Sequence, residues 1–227
     1  DKGSDISIGQ SGNITGLGIV GTLASGVLAN QVLVTSTTTD GTSYADGDVI
    51  ASGIRGTDGG ANSSIGLNQS LLTAGPLGGD VIGQSITGMA VLANTIGTVG
   101  TLLDDASSQM DAVISGLRDV DILGGQSGVN LIKGTSTGDY DSTAIAINGD
   151  AQASGIVNGY GIYDSDSDGY ITTSGNIQAI SNLLNTVVAS SVAGSATATA
   201  ETTAIGLGGY NVTILGSGTV TANATGL

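Results

Sequence analysis

The sequence predicts a mainly β domain, antiparallel and sandwich-like, with two or three short amphipathic helices; a parallel β-solenoid with helical insertions is the alternative. Three observations carry this reading. Runs of alternating apolar and Thr/Ser residues are separated by Asp-Gly, Asn-Gly and Gly-Gly. The inventory holds 40 Gly, one Pro, six Tyr and no Phe, Trp, Cys or His. A core built from Val, Ile, Leu and Ala must rely on many small contacts, which suits layered, repetitive packing. A length of 227 residues fits a single β-rich domain, 1–227.

The segments follow in chain order. Residues 14–34 (ITGLGIVGTLASGVLANQVLV) lack charge and are long enough to cross a bilayer, but their Gly, Ser, Thr and Asn content favours a buried strand or helix. Residues 31–39 (QVLVTSTTT), Asp40-Gly41 and residues 42–50 read as a hairpin with a primed turn. A weak helix is expected over 82–96, despite Gly83 and Gly88. Over 101–115, Leu102, Leu103, Ala106, Met110, Val113 and Ile114 share a helical face, with Asp104 and Asp105 in the first turn. TAIAI (143–147), Asn148-Gly149 and DAQASGIV (150–157) form the clearest second hairpin. A further helix is expected over 176–193, on Ile177, Ile180, Leu183, Leu184, Val187 and Val188. The C-terminal strands are 196–207, 210–215 and 219–224, joined by glycine-rich turns.

Short internal similarities exist. IGQSGNITG (8–16) returns as IGQSITG (82–88), and VLAN occurs at 27–30 and at 91–94. Their unequal offsets argue against a solenoid with rungs of fixed length.

Charge is distributed unevenly. The formal balance is −15, from eighteen Asp and one Glu against Lys2, Arg55, Arg118 and Lys133. Residues 6–39 are uncharged, and after Asp168 only Glu201 carries charge. With no basic patch, nucleic acid and anionic membrane surfaces are not expected partners, whereas cations are. No signal peptide opens the sequence, since Asp1, Lys2 and Asp5 precede any apolar stretch, as in a processed, secreted protein. Without Cys, stability must come from backbone pairing, bound metal or association.

One segment carries specific chemistry. DSDSDGYI, residues 164–171, places carboxylates at alternate positions, then a glycine, then an apolar residue. It resembles the calcium loop of EF-hand and dockerin-type modules, in which alternate oxygens converge on a hard cation and the glycine permits a sharp turn. The resemblance implies ligation by Asp164, Asp166 and Asp168, with the Tyr170 carbonyl and Thr172 as further oxygens. Position 12, acidic in that family, is Gly175 here, and the preceding GIVNGYGIY does not read as an entering helix. The helix expected from Asn176 would supply the loop-to-helix half. Asp139 or Asp141 could complete the ligand set, and calcium is the expected cofactor.

Other motifs are weaker. LGGDVIG (77–83) and LGGQSGVNL (123–131) lack the Asp register of glycine-rich calcium repeats. Asn13, Asn62, Asn68, Asn211 and Asn223 begin glycosylation sequons.

An enzyme is not expected. There is no His or Cys, no GxSxG and no phosphate loop. Asp46 with Asp48, or Asp119 with Asp121, would have to serve as a carboxylate pair in a glycan-active enzyme. An extracellular, calcium-dependent adhesin or a carbohydrate- or ice-surface binding module is the second reading, based on Thr-rich strands. The principal expectation is a self-assembling extracellular structural protein: a filament, surface-layer or matrix subunit whose partner is itself. The composition is similar to that of bacterial and archaeal surface-layer and fibre subunits. Of the terminal segments, about 1–20 and about 210–227, one would supply an uncharged strand, from within 6–20 or within 210–227, that adds to the sheet edge of a neighbouring copy.

Overall fold

The computed structural model describes residues 23–38, 41–55, 64–67, 79–96, 104–124, 129–165 and 169–227. Among these residues there are thirteen strands and no helix. They are β1 (Leu23–Thr38), β2 (Ser43–Arg55), β3 (Ser64–Leu67), β4 (Gly79–Thr95), β5 (Ala106–Arg118), β6 (Asp121–Gly124), β7 (Val129–Ala146), β8 (Ala151–Tyr163), β9 (Tyr170–Thr173), β10 (Asn176–Ser191), β11 (Ala196–Gly208), β12 (Asn211–Ile214) and β13 (Val220–Gly226). Every pairing is parallel. Sheet A has the order β1-β4-β7-β10-β13, sheet B β11-β8-β5-β2 and sheet C β12-β9-β6-β3. The chain therefore visits A, B and C in turn and repeats, as a parallel β-solenoid with two long walls and one short one.

This corrects the expected antiparallel sandwich. All three strand–turn–strand units fall on strands, although β1 and β7 begin 8 and 14 residues before the expected 31 and 143, yet none is a hairpin. β1 and β2, β7 and β8, and β11, β12 and β13 lie in different sheets. Alternation and a tight turn say that one strand follows another. They do not say whether the chain folds back or turns a corner, because both leave the same period of two.

All three expected helices are strands, β4, β5 and β10. In β10 the inward residues are Ile177, Ala179, Ser181, Leu183 and Asn185, while Leu184 and Val188 face out and are exposed. Small and polar residues take inward places and large apolar ones take outward places, so the period of two is hidden beneath an accidental helical one. The helical insertions of the solenoid alternative are likewise absent among the described residues.

The internal matches do not mark the coils. Val27 pairs with Gln84 and Val34 with Val91, so the two VLAN segments are out of register, and residues 8–16 lie outside the described residues. The repeat that does mark them is a glycine followed by Ile or Leu near the end of each sheet B strand: Gly53-Ile54, Gly116-Leu117, Gly161-Ile162 and Gly206-Leu207. Their flanking residues are in register across all four strands. Opposite them in sheet A, Gly83 pairs with Gly134, and Gly134 with Ala179.

At this level the two walls meet backbone to backbone. A Cβ at Gly53 would come under 3.0 Å from main-chain atoms of Gln84, at Gly83 from those of Gly116, at Gly116 from those of Gly134, at Gly134 from those of Gly161, and at Gly161 from those of Ala179 and Ile180. Face-packed sheets ordinarily stand ~10 Å apart, so this is a waist. It divides the core in two. On one side lie Met89, Val91, Met110, Ile114, Tyr140, Val157 and their neighbours; on the other, Ile54, Val81, Leu117, Ile122, Ile132, Ile162, Ile171 and Ile177. Alternation in sheet B slips by one residue at the waist: Gly53 and Ile54 are both buried, as are Gly116 and Leu117, and Gly161 and Ile162. The slip turns Ile54, Leu117 and Ile162 into the second core, facing sheet C.

The waist predicts a contrast between two substitutions. Gly134→Ala forces a Cβ into the Gly161 carbonyl and should cost about 1–3 kcal/mol or more. Gly88→Ala, whose Cβ would lie 3.4 Å from the nearest atom, should change stability by less than about 1 kcal/mol. Equilibrium urea unfolding of both variants checks this; equal stabilities would contradict the waist.

Candidate functional site

Several Asp residues stand at the corners, where their short side chains reach main-chain N–H groups of a neighbouring coil or of their own turn. At the corner from A to B, Asp105 Oδ1 accepts from Asp150 N at 2.8 Å and Asp150 Oδ1 accepts from Ser195 N at 2.8 Å. Asp104, nearly buried, accepts from Gly41 N at 2.7 Å, where the chain takes a positive φ. At the corner from B to C, Asp119 Oδ1 accepts from Ser165 N and Asp121 Oδ1 from Tyr170 N, both at 2.8 Å. At the corner from C to A, Asn176 Oδ1 accepts from Thr219 N at 3.1 Å. Turn backbone leaves the sheet ladders, and its N–H groups need acceptors. The short Asp side chain suits such bonds to nearby backbone. Asp104 and Asp105, read from the sequence as a helix first turn, are such corner acceptors.

The expected calcium loop is one of these corners. Asp164 is 5% exposed, and its Oδ2 accepts from Gly169 N at 2.6 Å, closing the turn between β8 and β9. Asp166 and Asp168 lie outside the described residues. Gly169 is packed under the Tyr210 ring, where a Cβ would lie 2.6 Å from a ring carbon, so its lack of a side chain has a packing reason here. Tyr170 begins β9 with its side chain 53% exposed. Thr172 alternates outward with Tyr170, away from buried Ile171 and Thr173, and pairs with Leu123 and Thr213. Asp139 and Asp141 are not brought to the loop; they lie on the outer face of sheet A, opposite Leu184 and Thr186. The expected helix after the loop is β10. The carboxylates that do reach the loop are Asp119 and Asp121 of the preceding coil, which the sequence suggested only as a catalytic pair.

Asp119 is the hub of this corner. It takes φ 54, a left-handed conformation that Asp tolerates better than most residues, and Gly209, one coil beyond Asp164, has φ 79. Its carboxylate accepts from Arg118 Nε at 3.1 Å and lies 4.0 Å from Arg55 Nε, while the Ser165 hydroxyl donates to it at 2.8 Å. Arg55, Asp119 and Ser165 belong to three successive coils. Tyr210, from the fourth, reaches back so that its hydroxyl accepts from Val120 N and donates to Val120 O, both at 3.0 Å. Burial pushes the Tyr210 phenol well above its ordinary pKa. Asp46 and Asp48 do share the outer face of β2, and Asp48 pairs with Asp111. Of the sequons, Asn211 and Asn223 are exposed, while Asn13, Asn62 and Asn68 lie outside the described residues.

The two ends of the solenoid form the second candidate site. β1 and β13 are the outer strands of sheet A, β2 and β11 of sheet B, β3 and β12 of sheet C. β13 pairs only with residues 177–183 of β10; past Asn185, which donates its N–H to Leu227 O, the described residues place no strand beside β10 on that side. Inward positions of the last coil are more exposed than their register partners one coil earlier. Ala151 and Ala153 are buried in β8, but Ala196 and Ala198, their register partners in β11, are exposed. Ala144 is buried in β7, whereas its partner Ala189 is only half-buried. β13 has no charge, and β11 has only Glu201.

Two measurements test the corner and the core. Tyr210→Phe leaves the Val120 N–H and carbonyl without their partner and should lower stability by about 1–3 kcal/mol in urea unfolding. Buried Tyr140, whose hydroxyl bonds Thr87 Oγ1, is pushed by burial from 10 to about 12. A raised folded pKa keeps stability intact below the unfolded value and removes it as pH rises through the folded one. Thermal melts should therefore hold to about pH 10 and fall towards pH 12, less steeply in Tyr140→Phe. Comparison with family models, curated proteins and solved structures found no match.

Proposed function

We propose that this chain is a self-assembling extracellular structural subunit of a filament, surface layer or matrix, whose copies join by strand addition and are stabilised by calcium. One observation supports it above the rest: among the described residues the outer strands β1, β3, β12 and β13 of a parallel solenoid carry no charge and β11 only Glu201, while β2 carries Asp46, Asp48 and Arg55. Soluble monomers ordinarily block such edges with charge, proline, bulges or a covering element. A contact that joins one end of a molecule to the other end of the next is head-to-tail and does not close, so it generates fibres.

The role is non-catalytic, and the regularity of the walls is its physical basis. Parallel, in-register strands form a stiff rod whose main-chain groups can continue their ladders across a junction without new chemistry. Calcium acts at the corner of Asp164, Asp166 and Asp168, with the Tyr170 carbonyl and Thr172 as further oxygens. Asp164 already closes the turn through Gly169, so its other oxygen is the one it offers a cation. Asn211 and Asn223, exposed on the last coil, are the described positions at which glycans would attach.

Negative-stain microscopy of purified protein, with millimolar calcium and with a chelator, checks the assembly. Fibres or sheets are expected, more abundant with calcium; monomeric particles in both conditions would refute it. Calorimetric titration checks the cation separately, and no heat and no shift in melting at millimolar calcium would remove calcium from the proposal.

A further inference from the structure

We infer that a notch on the outer face of sheet A, centred on Gly88, binds one unit of a neutral saccharide. The inference goes beyond the assembly reading and does not depend on it.

The fold gives Gly88 no reason to be glycine. A Cβ added there would lie 3.4 Å from its nearest neighbour, the Asp139 carbonyl oxygen, and its φ is not positive. Every other described strand glycine whose surroundings are placed would bring a Cβ to 3.3 Å or less from another atom. The pairing of β4 with β1 and with β7 is also in unbroken register at this point, so there is no bulge. A glycine inside a strand weakens it, and where neither a bulge nor a neighbouring backbone accounts for it, it marks the close approach of a ligand.

Register decides what surrounds the gap. Gln31, Gly88 and Asp139 form one row of the sheet, and Ile86 and Thr137 stand together two residues earlier, all facing outward. Gln31 and Asp139 therefore flank the gap from two strands apart, roughly 10 Å at ~4.8 Å per strand. With Thr87 and Gly138, which face inward, these residues line a notch of about 440 Å³, a volume in the range of small-ligand sites. The floor is firm, because the Tyr140 ring packs directly under Gly138 and its hydroxyl bonds Thr87 Oγ1.

The chemistry of the rim selects the ligand. Among the described residues Gln31, Thr137 and Asp139 have no hydrogen-bond or ionic partner, whereas on the outer face of sheet B Tyr44 pairs with Asp46 and Ser52 with Ser115. The three supply a carboxylate that only accepts, and an amide and a hydroxyl that both donate and accept. Ile86, 43% exposed, adds an apolar wall. A sugar ring matches this set, with hydroxyls that donate to Asp139 and accept from Gln31, and C–H groups that lie on Ile86 and the glycine floor. The one charge on the rim is negative, as is the formal balance of −15, which disfavours uronates, sulfates and phosphates. An ammonium group would satisfy Asp139 but leave the Gln31 amide N–H groups and Ile86 unmatched. The lining holds no aromatic ring to stack on, so hydrogen bonds carry the affinity, with dissociation constants on the order of millimolar.

Saturation-transfer NMR and calorimetric titration with maltose, cellobiose and mannobiose test the site, with spermidine and digalacturonate as cationic and anionic probes. Saturation transfer reads monomers and fibres alike, so a failure of assembly leaves this result intact. At least one neutral disaccharide is expected to bind. Gly88→Val fills the notch with a good strand former and should weaken that binding roughly tenfold while melting no lower than the parent. Asp139→Asn should weaken it roughly fivefold, through loss of a charge-assisted bond. Asp141→Asn, on the same strand and face but outside the notch, should leave it unchanged. Absence of binding by all three disaccharides, or full binding in a folded Gly88→Val, would overturn the site. Equal losses in Asp139→Asn and Asp141→Asn would do the same, and this contrast decides alone if Gly88→Val does not fold. A charged probe that loses more affinity than the disaccharides in Gly88→Val would overturn the ligand class.

Discussion

The two long walls touch main chain to main chain along a row of glycines, and the rest of the architecture accommodates that contact. Gly53, Gly116, Gly161 and Gly206 on one wall face Gly83, Gly134 and Ala179 on the other, with no space for a side chain between most of them. Walls held this close leave no depth for Phe or Trp. The interior is filled instead by Ala, Ser, Val and Ile columns, with Tyr140 and two methionines where the walls diverge. Gly138 makes way for the Tyr140 ring, and Gly47 for Met89 and Val91. The unusual composition and the waist are thus one fact seen twice. A narrow core must bury area in many small pieces, repeated from coil to coil.

Parallel coils also create a problem at their corners, and the acidic residues address it. Each turn releases N–H groups from the ladders, and an Asp or Asn of the preceding coil accepts them. Most of the described acidic side chains at the corners are thereby engaged in holding coil to coil. A formal charge of −15 is consistent with a chain that selects Asp for its reach to backbone. The segment 164–171 belongs to this pattern, because Asp164 serves its own turn while Asp119 and Asp121 serve its flanks. The calcium proposal and the structural role of this corner are compatible, since the Gly169 N–H engages Oδ2 of Asp164 and not Oδ1.

The proposed assembly draws on the same periodicity that stacks coil on coil within the chain. A coil is stabilised by the coils on either side of it, and end coils lack one neighbour. Among the described residues sheet B is bounded by the 13-residue β11, and β13 pairs with residues 177–183 of β10. Alanines buried in the third coil are exposed in the fourth. The energetic argument for a neighbouring copy is therefore the argument for coil stacking applied once more, across a molecular boundary.

The sequence by itself determined much of the local structure. Alternation and turn dipeptides located β11, β12 and β13 to within two residues and the starts of β2 and β8 to within one, but not the ends of β2 and β8, and the charge distribution marked the uncharged C-terminal strand. The glycine preceding Ile or Leu, evenly spaced at Gly116, Gly161 and Gly206, was also legible, although it is obscured by the many other glycines. Only the tertiary structure decided which strands pair. An antiparallel hairpin and a solenoid corner share the same period and the same turn residues, and differ only in whether the partner is the next strand or the one a coil away. The same holds for β4, β5 and β10, where Ala, Ser and Gly fill inward positions because the opposite wall is too close for anything larger. That distance is a property of the folded pair of walls, and no single strand encodes it.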